Sequence, residues 1–155
     1  MGAYVVHNQG AIPALTASTT KTLVYINPAV VDIVINEISI SFDSPSAATA
    51  IEVDLYRTTN ATSAAGPSFT PVKTTKPGSG GTAAQSTALI NLTVEPTAIE
   101  VVRTYFISPA SGLMVLQFPL GKEPAALGGG QPIGLRVVTP AGVTPHALAY
   151  LDFSE

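Results

Sequence analysis

Two carboxylates, Glu52 and Asp54, stand two residues apart in residues 50–57, where Ile51, Val53 and Leu55 alternate with Glu52, Asp54 and Tyr56. On an extended strand that spacing puts both acids on one face. A general acid and base also need burial or a nearby charge, inside a cleft, to separate their pKa values. The alternation instead gives these acids the solvated side of a strand whose other side is core, with Arg57 or Arg103 as cross-strand partners. The two histidines, His7 and His146, lie near opposite ends of the chain. His146 follows Pro145 ahead of a strand pattern and reads as a turn residue. Asp43 has no D-x-D-x-D neighbours of the kind that wrap calcium. The glycine tracts at 78–81 and 128–130 lack the strand-before, helix-after setting and the Lys-Ser or Lys-Thr of a phosphate loop. Asn60-Ala-Thr62 and Asn91-Leu-Thr93 match the glycosylation sequon, and the second falls inside a strand pattern. There is no cysteine, hence no thiol nucleophile, disulfide or thiolate metal site. The inventory predicts no catalytic residues, no cofactor and no metal, and a protein that is not an enzyme.

The elements that position these residues are strands. Thirteen prolines and thirteen glycines punctuate segments rich in Val, Ile, Thr, Tyr and Phe. In 33–43, Ile38, Ile40 and Phe42 alternate with Glu37, Ser39, Ser41 and Asp43, a period of two that excludes an amphipathic helix. The same alternation recurs with Ile90, Leu92 and Val94, with Met114, Leu116 and Phe118, with Ile133, Leu135 and Val137, and with Ala147, Ala149, Leu151 and Phe153. With 20–26, 50–57 and 99–107 this makes about eight strands. No segment carries a capped 3.6-residue pattern, so parallel βαβ folds are excluded. Strands with one apolar face must close into two sheets or a barrel. The expected fold is therefore all-β, a single antiparallel β-sandwich, jelly-roll-like in preference to immunoglobulin-like, since Cys and Trp are both absent.

One domain suits 155 residues, a length that buries roughly 70% of the unfolded surface. The sandwich is assigned to 13–155, with residues 1–12 as an N-terminal arm and the low-complexity stretch 58–86 as a long surface loop or a second arm. Charged residues are only 11% of the chain and hydrophobic ones 46%, with a mean hydropathy of +0.37. So few charges predict that part of the surface is buried against other subunits. A net charge of −3 with seven scattered Lys and Arg argues against nucleic-acid binding. No apolar run is long enough, free of Pro and Gly, to read as a membrane span. The first twenty residues lack the form of a signal peptide.

From residue 106 onward the chain, with FISPASGLMVLQFPLGKEP, a Gly-rich turn leading into PIGLRVV and a closing ALAYLDFSE, resembles the C-terminal half of small head-surface proteins of tailed bacteriophages, those of actinobacterial phages especially. KTLVYI and EISISFDSPSAATAIEVDLYRTT extend the resemblance over most of the chain, as general layout with few motifs. It implies a capsid decoration protein in the virion, assembled in the host cytoplasm. Its partner would be the major capsid protein and its state a homo-oligomer, a trimer being favoured. The acidic balance fits the outer shell surface. The alternative is a receptor- or glycan-binding sandwich of a tail or fibre. Apolar groups in loops and tails give the candidate interface residues Tyr4, Val5, Phe69, Val72, Leu120 and Leu127.

Overall fold

The computed structural model describes residues 2–43, 49–59, 63–74 and 83–155. It is all-β, with no α-helix among these residues. The strands are β1 (Ala3–His7), β2 (Thr20–Asn27), β3 (Ile33–Phe42), β4 (Ile51–Thr58), β5 (Ser68–Phe69), β6 (Val72–Lys73), β7 (Thr87–Ile90), β8 (Ile99–Ile107), β9 (Leu113–Gln117), β10 (Ala125–Ala126), β11 (Ile133–Val138) and β12 (Ala147–Ser154). They form two antiparallel sheets. The first runs β10-β3-β12-β1-β6, with β9 also on β3; the second runs β5-β7-β2-β11-β4-β8. Seven of the eight expected strand regions hold a strand, the eighth, through Ile90, Leu92 and Val94, meets β7 only at Ile90, and β1, β5, β6 and β10 are additional.

Alternation explains the sandwich-like packing. Ile38, Ile40 and Phe42 of β3, Ala147, Ala149, Leu151 and Phe153 of β12, and Ile51, Val53 and Leu55 of β4 all enter one core cluster drawn from both sheets. Each fully buried aliphatic side chain contributes about 1.5–3 kcal/mol. Where the apolar period slips, the backbone adapts. In β3 the inward residues are Ile33 and Ile35, then Ile38, so one extra residue sits between them. The β12 register accordingly jumps from Asp152↔Glu37 to Phe153↔Ile35, a bulge that leaves Asn36 unmatched. Asn36 donates to Ser154 Oγ at 2.8 Å, and its carbonyl accepts the Phe118 N–H at 2.9 Å.

Three expectations change. Residues 3–7 are not a free arm: β1 lies between β12 and β6, with Tyr4 and Val6 buried. The Gly and Pro that follow mask a short but regular alternation. The described parts of 58–86 lie along their own chain, β5 extending one sheet and β6 the other. Residues 60–62 and 75–82, Asn60 included, lie outside the described residues. The pattern through Ile90, Leu92 and Val94 is not one strand. β7 stops at Ile90 because Asn91 takes φ +49°, a left-handed conformation that Asn tolerates better than most residues. Leu92 then turns into a second small cluster with Tyr25 and Tyr56.

Candidate functional site

Glu52 and Asp54 do not share a solvated face as expected. Asp54 is only 1% exposed. Its Oδ2 accepts from Arg136 Nε at 3.0 Å and Nη2 at 2.9 Å, and its Oδ1 accepts from Thr104 Oγ1 at 2.6 Å. The register places Arg136 directly opposite on β11 and Thr104 opposite on β8. Arg57 instead approaches Glu100, at 3.9 Å. The Arg136 guanidinium lies 5.5 Å from the Tyr56 ring centroid, and that ring lies across Gly134, where a Cβ would come within 2.8 Å of the hydroxyl. Tyr56 O–H donates to Thr22 Oγ1 at 2.9 Å, and Thr22 in turn donates to Glu95. Burial pushes the Tyr56 phenol upward, chiefly by desolvation. It therefore keeps its proton and remains a donor. With its acid paired and its phenol protonated, the network pins the loop carrying Glu95 to the sheet and offers no free acid or base.

His146 has a different setting. Its N–H and Nδ1 meet Asp43 Oδ1 and Oδ2 at 2.6 and 2.9 Å, so one carboxylate orients the ring at the mouth of a hollow of about 210 Å³ walled by Ile12, Phe42 and Leu148. Both side chains are more than half exposed. The other histidine, His7, packs edge-on to Phe69, with centroids 4.8 Å apart, and against Tyr150 at 5.4 Å. No group of three or more His, Cys, Asp or Glu among the described residues is arranged to hold a metal.

Register also defines the outward face of the first sheet. Residues opposite one another in register share a face, so three rows cross it. One runs Leu113, Ser41, Leu148; the next Val115, Ser39, Tyr150, His7; the third Gln117, Glu37, Asp152, Val5, Val72. Ser39 and Ser41 of β3 lie between Val115 and Leu113 of β9 and Tyr150 and Leu148 of β12. In the third row two acids face each other directly. Burial, and then the Glu37 charge, raise the Asp152 carboxyl above its usual value of 3.8. A carboxyl raised on folding binds its proton more tightly when folded. The associated stability is present in acid and is lost as pH climbs from about 4 through the folded value. Asp152→Asn is therefore expected to match the native chain near pH 3 and to exceed it by about 0.5–1 kcal/mol at pH 7 in urea melts of dilute protein. A variant no more stable than the native chain at pH 7 would remove the repulsion from this account.

The sequence-predicted interface residues divide. Tyr4 is a correction: at 3% exposure it packs on Phe153, centroids 5.6 Å apart, and offers no surface. Val5 is half-buried and Val72 exposed, side by side in the third row. Phe69 is half-buried beside His7. Leu120 and Leu127 are exposed at the end of the sheets where β9 stops and β11 begins. Val30, which sequence reasoning missed, joins them there: Gly129 N–H donates to Pro28 and Ala29 carbonyls, and Gly128 N–H to Asp32, tying the two turns together. Its signal was an apolar residue within a Pro-bounded turn. Phe106, 71% exposed on the edge strand β8, was also missed.

No family model, curated protein or solved structure matches the chain.

Proposed function

We propose that this chain is a virion structural protein, a capsid decoration protein that stabilises the head by binding the outer surface of the major capsid shell. The observation that carries the reading is the distribution of exposed groups. Ten large apolar side chains stand exposed among the described residues, on strand edges and on turns held by backbone bonds. The buried acid, by contrast, is neutralised in a structural network. Apolar groups on preorganised supports lose little entropy on docking and favour protein contact. The jelly-roll form of the fold belongs to the same reading. Taking β1, β2, β3, β4, β8, β9, β11 and β12 as the eight principal strands, the orders β1-β12-β3-β9 and β2-β11-β4-β8 support a reading as two interleaved Greek keys. Binding across several coat subunits would raise the barrier to shell rupture. Purified protein is expected to cosediment with undecorated, expanded shells from its own source and to saturate at a fixed ratio to coat subunits. Pelleting no greater than in shell-free controls would end the proposal.

A second reading, a glycan- or receptor-binding module, draws on the ring contacts of His7 with Phe69 and with Tyr150, with Tyr150 O–H donating to Gln9 at 3.3 Å. The rings are inclined at 67° and 48°, not laid flat as a sugar platform would be. Saturable binding of a soluble oligosaccharide, lost in Tyr150→Ala, would favour it over the first.

A further inference from the structure

The third row of the first sheet's outward face combines an unneutralised acidic pair with an apolar flank. Glu37 and Asp152 are direct cross-strand neighbours, and Val5 and Val72 continue the row on the next two strands. Gln117, across from Glu37, donates to its Oε2 at 2.7 Å, but no cation pairs with either acid among the described residues. Like charges placed opposite one another in a ladder are destabilising. Such a pair is relieved by a cation placed between the two carboxylates.

The chain carries a fitting counterpart. Residues 119–122 form a tight turn closed by the Lys122 N–H on the Pro119 carbonyl at 2.9 Å, with Gly121 at φ +79° in the position where a type II turn needs a left-handed residue. Leu120 projects at 98% exposure, and Lys122, also exposed, enters no ion pair among the described residues. Leu120 and Lys122 are at most about 7 Å apart along the backbone. Asp152, Val5 and Val72 follow one another at strand spacings of about 4.8 Å. A lysine set between Glu37 and Asp152 thus leaves the leucine within reach of Val5, with Val72 one strand farther along the row.

We infer that the Leu120–Lys122 turn of one copy docks on the Glu37–Asp152–Val5–Val72 row of a second copy. Two different surfaces meet, so the contact is heterologous and propagates around a ring or along a filament. The face itself, three to five strands wide and three rows deep, measures at most about 500 Å² in projection. That is short of the roughly 800 Å² per partner of a standard stable interface. The association is accordingly expected in the micromolar range. It requires no shell, so it stands or falls independently of the decoration role.

Sedimentation equilibrium of the full chain at up to tens of micromolar tests it. The native chain is expected to self-associate, and Lys122→Glu, a change on an exposed turn that leaves the thermal transition in place, to weaken association at least about tenfold. Combining Lys122→Glu with Glu37→Lys and Asp152→Lys reverses all three charges and is expected to restore association to within about threefold of native. A native chain that stays monomeric throughout the range, or a Lys122→Glu chain that associates as well as native, overturns the inference. A loss with Lys122→Glu that the triple exchange does not recover overturns the placement of Lys122 on this acidic pair.

Discussion

Arg136→Ala is expected to lower the unfolding free energy by about 3–5 kcal/mol, the cost of stranding a buried charge by removing its partner. Asp54, 1% exposed, would retain only the Thr104 hydroxyl, after losing two guanidinium bonds at 2.9 and 3.0 Å. The Tyr56 ring would lose the cation over its face as well. Exchanging both partners at once, Asp54→Leu with Arg136→Met, should cost much less than Arg136→Ala alone, since no charge is left unpaired. Urea denaturation of the single and double variants measures the difference. If Arg136→Ala cost under about 1 kcal/mol, Asp54 would have to be hydrated or protonated, and the network would not be the clasp described.

Asn8→Ala is expected to cost about 3 kcal/mol. Asn8 is fully buried, and its side chain satisfies three groups: Nδ2 donates to the Ala147 carbonyl at 3.0 Å and to Asn91 Oδ1 at 3.1 Å, while Oδ1 accepts the Ala149 N–H at 2.9 Å. Alanine would leave a buried carbonyl and a buried N–H without partners, each worth about 1–3 kcal/mol. Asn91, the left-handed residue after β7, would lose its link to the residue that follows β1, so hydrogen exchange should quicken at Asn91 and Leu92 along with Ala149. Asn8→Asp gives a sharper version. It retains the acceptor but sets a second oxygen against two oxygens, so its deficit should shrink in acid, where the carboxyl regains a donor. An Asn8→Ala chain within about 0.5 kcal/mol of native would show that the backbone relaxes to satisfy itself.

The main strands were legible because each long one keeps a period of two with a dry face, and such patterns survive almost any tertiary context. β1 and the two-residue strands were not. Five residues of alternation at Ala3–His7 carry little signal, and β5, β6 and β10 form because neighbouring edges accept them. Likewise, the period marks Asp54 as outward, but not that Arg136 and Thr104 converge on it from two neighbouring strands; pairing order is a long-range property. Glu37 and Asp152 are 115 residues apart in sequence yet adjacent in register, and no local pattern announces that. The turn at Pro119–Lys122 is the opposite case. Pro, Gly and an isolated Leu make Leu120 an exposed apolar residue on sequence grounds alone, and at 98% exposure it is the most open of the large apolar side chains among the described residues. His146, read as a turn residue, does sit in a connection ahead of β12, with Asp43 as a partner that the sequence could not name.

The proposed decoration role rests on the apolar side chains exposed on strand edges and turns. Electron cryomicroscopy of undecorated shells incubated with saturating protein tests this most directly. The expected result is additional density of the size of this sandwich, at one repeated position on the outer surface of the coat lattice and absent from untreated shells. Shells from the protein's own source that show no added outer density at saturation, while the protein remains folded, would contradict the central claim.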